Sequence, residues 1–100
     1  MRPDWIRLKI SSFLIVLEEI KMHIQVRLFA TLVNRISGVK SGVPFDVELP
    51  EGAFLSDLVK QLNLPENEVK VSFVNGRTQS LDFQLRSGDE VGIFPPVGGG

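Results

Sequence analysis

From Met22 onward, apolar and polar positions alternate in a regular way. Ile24, Val26 and Leu28 stand between His23, Gln25 and Arg27, the period-two pattern of a strand with one buried face. Thr31 to Ile36 reads as a short helix or helical turn, stopped at Gly38. Phe45, Val47 and Leu49 alternate with Asp46 and Glu48 in a second strand that ends at Pro50. Leu55, Leu58, Val59 and Leu62 then recur at i, i+3, i+4 and i+7, one apolar stripe along a helix. Asp57 lies in its first turn, where a negative charge suits the helix dipole. Val69, Val71 and Phe73 alternate with Lys70 and Ser72 as a third strand, and Asn75-Gly76 favours a tight type I′ turn. Leu81, Phe83 and Leu85 continue with period two, although Leu81-Asp82 reads equally as loop. Ser87-Gly88-Asp89 turns the chain into a last strand, Glu90 to Phe94. The order is strand, short helix, strand, helix, strand, strand: an α+β domain over residues 22–94.

Residues 1–21 differ in character and form an N-terminal extension. Phe13-Leu14-Ile15-Val16-Leu17 is a dense apolar run, far short of the roughly 20 residues that span a bilayer. Arg2 and Arg7 precede it as in a secretory signal, but Lys9 and two serines interrupt it and no small-residue cleavage site follows. Three readings stay open: an amphipathic helix, an extra edge strand, or sequence upstream of a natural start at Met22.

Composition narrows the function classes. One hundred residues and 43% hydrophobic content suit one globular domain with a modest core. A net charge of −1, and no Tyr or Trp in the body of the chain, give no basic stripe or stacking platform for nucleic acid. With no cysteine there is no disulfide framework, thiolate metal site or cysteine nucleophile, and one histidine, His23, cannot build a zinc site alone. Glu18-Glu19 and Asp89-Glu90 are sequence neighbours whose side chains diverge, and Glu66 and Glu68 read as solvated loop charges. A single histidine gives no convincing Ser/His/Asp set. If chemistry happens on this chain, the terminal carboxylate is the best candidate.

The C-terminus supports that choice. The last strand runs straight into Pro95-Pro96-Val97 and ends on Gly98-Gly99-Gly100. Glycine is the costliest residue to order and adds no side chain to a core. A tail of this kind, residues 95–100, is thin enough to enter another protein's narrow active site, and the prolines stiffen its base.

Leu28-Phe29-Ala30, Phe73-Val74-Asn75-Gly76 and the run Gly88-Asp89-Glu90-Val91 … Phe94-Pro95-Pro96-Val97 … Gly99-Gly100 together resemble the MoaD/ThiS family of ubiquitin-like sulfur carriers, nearest to its molybdopterin synthase small-subunit branch. The resemblance implies a β-grasp fold, a mixed sheet of four to five strands packed on one main helix. It also implies that a ubiquitin-activating-type adenylating enzyme uses ATP to adenylate the Gly100 carboxylate. A persulfide sulfur donor then converts it to a thiocarboxylate. Gly98, Gly99, Val97, Pro96 and Pro95 would occupy the partner's active site, with Phe94 and Arg35 at the partner interface. The acceptor partner would be the large subunit of molybdopterin synthase. No metal and no bound cofactor are expected, nucleic acid and membrane are not expected partners, and the setting would be cytoplasmic. Two departures stand out: Val33 occupies a position where many members place a partner-contacting Arg, with Arg35 nearby, and Gly98 stands where another small residue is common. The alternatives are a carrier for thiamine, cysteine or tRNA thiolation, a ubiquitin-like protein modifier, or a non-catalytic module whose Pro-Pro segment docks an aromatic groove.

Overall fold

The strongest alternation gives the longest strand in the computed structural model, which describes residues 21–96. β1 (Lys21–Leu28) buries Met22, Ile24, Val26 and Leu28 and exposes the residues between them. β2 (Phe45–Pro50) pairs with it antiparallel, from Pro50 opposite Lys21 to Phe45 opposite Val26. β3 (Val71–Val74) and β4 (Arg77–Thr78) form a hairpin. Its turn residues Asn75 and Gly76 have φ of 51° and 83°, the positive values a type I′ turn demands. β5 (Glu90–Phe94) lies between β1 and β3, parallel to β1 and antiparallel to β3, so the sheet order is β2-β1-β5-β3-β4.

α1 (Leu55–Gln61) adds Leu55, Leu58 and Val59 to one buried cluster with the inward side chains of β1, β2 and β5. Each such side chain, fully buried, stabilises the fold by about 1.5–3 kcal/mol. The Asp57 carboxylate accepts the Phe54 N–H at 2.8 Å, closing the helix start. A six-residue 3₁₀ turn, Ala30–Arg35, buries Leu32 after β1, close to the expected helical segment. The architecture is the α+β, β-grasp type: a five-stranded mixed sheet on one main helix.

Local details differ from the sequence expectation. β1 begins at Lys21, one residue before the expected domain start. β3 begins at Val71, and its core face carries Ser72 and Val74, whereas Val71 and Phe73 are half-exposed on the other face. The Val69-Val71-Phe73 alternation therefore does not mark one buried face: Val69 lies before the strand and packs against the core, whereas Phe73 joins an aromatic cluster on the outer side. Leu81, Phe83 and Leu85 form no strand. They run past the start of α1, where the Phe83 and Leu81 carbonyls accept the N–H groups of Leu55 and Ser56, both at 2.8 Å. Those are orphan donors of the helix's first turn, so the period-two spacing reflects a capping segment. Glu68 remains partly solvated, and its carboxylate also pairs with Arg35, through Arg35 Nε–H to Oε2 at 2.9 Å and a second contact from Nη2.

Candidate functional site

The site begins with the way β5 is held. As an inner strand it is bonded on both sides, Gln25–Leu28 opposite Glu90–Ile93 and Val71–Val74 opposite Phe94–Val91. The Asn75 side chain fastens its start, with Nδ2–H donating to Asp89 Oδ1 and Oδ1 accepting the Glu90 N–H, both at 2.9 Å. Asp89 Oδ2 in turn accepts the Arg86 N–H at 2.8 Å. This network ties the Asn75-Gly76 turn to the Gly88-Asp89-Glu90 turn. At the other end the Phe94 carbonyl accepts the Lys70 N–H at 2.9 Å. Pro95 has no N–H to continue the ladder, so the chain leaves the sheet there. The strand is thus clamped at both ends immediately before the tail.

The sheet face opposite α1 is divided. Its aromatic half is built from Phe29, just after β1, and from Phe73 and Phe94. Phe29 and Phe94 stack with centroids 4.1 Å apart and planes 5° from parallel, and Phe73 meets Phe94 edge-on at 5.5 Å. The chain turns sharply at Ala30, whose φ of 54° is costly for a residue with a Cβ. The Phe29 ring then lies beside both Gly42 and Gly92. These rings, with Pro44, Gly76, Val91 and Gly92, line a cleft of about 380 Å³ rimmed by Gln25, Arg27 and Glu90.

The polar half lies on β1 and β2. His23 Nδ1 is 2.8 Å from Asp46 Oδ2, Gln25 donates to Asp46 Oδ1 at 3.1 Å, and His23 Nε2 is 3.7 Å from Glu48. The hydrogen bond to Asp46, then the charges of Asp46 and Glu48, raise the His23 pKa above 6.5. Raised in the folded state, it contributes stability that is fully present below the unfolded value and lost as pH rises through the folded one. The pair is exposed, so the contribution is small and screened by salt. NMR titration of the His23 ring should give a midpoint above 6.5 that falls in Asp46→Asn; a midpoint indifferent to that substitution would remove Asp46 as the cause.

The expected site residues fall in three groups. Phe94 is in the aromatic cleft, and Pro95 and Pro96 follow it directly. Arg35 lines no part of the cleft; its guanidinium is held by Glu68, and Val33 packs on the core. Val97, Gly98, Gly99 and Gly100 lie outside the described residues, as do residues 1–20. Of the residues in the resemblance motifs, Leu28 and Val74 are buried, whereas Phe29 lies on the outer face. Sequence reasoning missed Phe29, Phe73 and Gly92 as parts of one cleft; a glycine inside an alternating strand was the available signal. Among the described residues no cluster of three His, Asp or Glu side chains is placed to hold a metal, and no helix is long and apolar enough to cross a membrane.

The ThiS family model matches residues 26–100. Among solved structures, a Pyrococcus furiosus protein assigned as molybdopterin converting factor, subunit 1, is 34% identical, with 76% of this chain and 99% of that one covered at a TM-score of 0.58. Small archaeal modifier protein 1 of Haloferax volcanii is 23% identical, covering 76% of this chain and 99% of its own at a TM-score of 0.61. A Helicobacter pylori complex of subunits 1 and 2 of molybdopterin-converting factor contains a chain 24% identical, with 79% and 100% covered at a TM-score of 0.50. At these identities the last two speak to the fold alone. No curated protein sequence matches.

Proposed function

The chain belongs to the ThiS family of ubiquitin-like sulfur carriers, and on that premise we propose that it carries sulfur as a Gly100 thiocarboxylate, serving molybdopterin synthesis as the small subunit of the synthase. The observation that carries this reading is the clamped inner strand β5 running without interruption into Pro95-Pro96 and a triple-glycine end. The likeness to the Pyrococcus protein supports the molybdopterin branch. A carboxylate is a poor electrophile, and adenylation by an ATP-using enzyme of the ubiquitin-activating type gives its carbon a good leaving group. A persulfide sulfur then attacks, AMP departs, and a thiol cleaves the resulting acyl disulfide to leave the thiocarboxylate and a disulfide. The catalytic side chains belong to the partners. This chain supplies the reacting carboxyl group, the glycines that let it enter, and the aromatic face beside β5 as the docking surface, with Phe94 as an anchor. Arg35, paired with Glu68 and still partly exposed, would present the rest of its guanidinium to a partner.

Intact-protein mass spectrometry after incubation with ATP, the activating enzyme and a persulfide donor tests the reading. The expected result is a mass gain equal to one oxygen exchanged for sulfur, mapped to Gly100. An unchanged mass beside a control carrier that charges normally would refute it. Release of sulfur to a pterin precursor only in the presence of the synthase large subunit would establish the molybdopterin branch. Gly100 found instead in isopeptide bonds to lysines would make the chain a protein modifier.

A further inference from the structure

Asn75 is followed by Gly76, whereas Asn34, Asn63 and Asn67 are followed by Arg35, Leu64 and Glu68. That neighbour decides the chemistry open to an asparagine. The backbone nitrogen of the next residue can attack the side-chain amide carbon, and a glycine leaves that nitrogen unshielded. Here the Gly76 nitrogen would give its proton to water and bond to Asn75 Cγ, while the Cγ–Nδ2 bond breaks and ammonia leaves. Water then opens the resulting succinimide at either carbonyl, giving aspartate or isoaspartate, with nothing oxidised or reduced. Asn75 and Gly76 are both exposed, so water reaches the turn.

The fold holds the amide away from this attack. The Asn75 N–H donates to the Glu90 carbonyl at 2.8 Å, which anchors the turn against the start of β5. The side chain then uses both of its amide atoms on the same segment: Nδ2–H donates to Asp89 Oδ1 and Oδ1 accepts the Glu90 N–H, each at 2.9 Å. Asp89 is itself held, since its Oδ2 accepts the Arg86 N–H at 2.8 Å. For Cγ to reach the Gly76 nitrogen, the side chain must swing round and give up both bonds. A hydrogen bond to an ionised acceptor is among the stronger ones a side chain can lose.

We propose that Asn75 is a deamidation site gated by Asp89: the amide survives while the carboxylate holds it, and the Asn75-Gly76 succinimide closes when that clamp opens. Either product then keeps the clamp from re-forming. Aspartate at position 75 sets a carboxylate against Asp89 where an N–H donor stood, and like charges at that range repel. Isoaspartate inserts its Cβ into the main chain and so breaks the tight turn that joins β3 to β4. The change is irreversible and marks a chain whose β5 start has come loose, independently of any sulfur carried at Gly100.

The test incubates the full chain in warm, mildly alkaline buffer and follows position 75 by peptide mass mapping, with enzymatic methylation of isoaspartate as a second readout. The folded chain should deamidate there about a hundredfold more slowly than the same chain unfolded in urea, the protection expected from two such hydrogen bonds. Asp89→Ala should speed the folded-state reaction by about tenfold or more, through loss of the charged acceptor. Leu58→Ala, well below its own Tm, should react at the wild-type rate, because its lost contact lies in the core and not in the clamp. Asn75→Asp, which copies one product, should lower Tm by about 4–8 °C, the size of one lost hydrogen bond in a small domain. A folded chain that reacts as fast as the unfolded one would overturn the inference, as would an Asp89→Ala rate equal to wild type. Acceleration in Leu58→Ala as large as in Asp89→Ala would make global unfolding the gate and remove Asp89 from that role. Deamidation mapped to Asn34, Asn63 or Asn67 with Asn75 intact would overturn the site itself.

Discussion

Deletion of Gly100 is expected to abolish thiocarboxylate formation while leaving the thermal transition of the domain where it was. The deletion withdraws the reacting carbon by about 3.5 Å, the length of one extended residue. A displacement of about 1 Å in a positioned reactant already costs roughly a hundredfold in rate, so a loss of at least that size follows. Gly99→Ala should act in the same direction by adding a methyl group where a narrow partner channel meets bare backbone. Neither change touches the clamps on β5, since the Lys70–Phe94 and Asn75–Asp89 bonds lie before the tail. The measurement is single-turnover charging followed by intact mass, with circular dichroism melts of both variants. Charging of the deletion variant within tenfold of wild type would sink the tail reading. Unchanged charging with a lowered Tm would point to a packed, structural terminus.

How far the sequence exposes this site depends on which physical signal each part leaves. β1, β2 and α1 are legible because one face of each is buried in a single core, and burial imposes the period directly. β3 is legible as a strand and misleading about its faces. Alternation says that two faces differ, and Phe73 looks like core until Phe29 and Phe94 are seen to gather on the outer side. The Leu81–Leu85 segment shows the same limit differently. Its alternating side chains pack inward while its carbonyls cap α1, a pairing between distant segments that no local pattern encodes. The Arg35–Glu68 bond joins residues 33 positions apart, so neither end announces the other. By contrast, Asn75-Gly76 and Gly88-Asp89-Glu90 are legible as turns from their own chemistry. Their role in fastening β5 emerges only when Asn75 is found bonded to Asp89. The expectation of a tail rests on composition alone, because a run of glycines after two prolines has little use inside a fold.

Leu58→Ala is expected to cost about 3 kcal/mol, the middle of the range for truncating a fully buried leucine. Leu58 is fully buried on the one α-helix among the described residues, and α1 gives the core only Leu55, Leu58 and Val59 as fully buried side chains. No second helix among the described residues can move in to fill the void, so the site collapses poorly and the cavity term stays large. A domain of this size has about 4–11 kcal/mol of total stability, so this one truncation removes a large fraction of it. The Tm should fall by about 12–24 °C, from the usual 4–8 °C per kcal/mol in small domains. Thermal melts and urea titrations on the full chain check the value. A change below about 1 kcal/mol would mean that the helix does not pack as described, because a filled core position cannot be emptied so cheaply. The functional consequence runs through the same contact. β5 contributes Val91 and Ile93 to the cluster that holds Leu58, so loosening α1 loosens the strand from which the tail is presented. Charging of Leu58→Ala should therefore match wild type well below its lowered Tm and fail near it, whereas the Gly100 deletion should fail at every temperature.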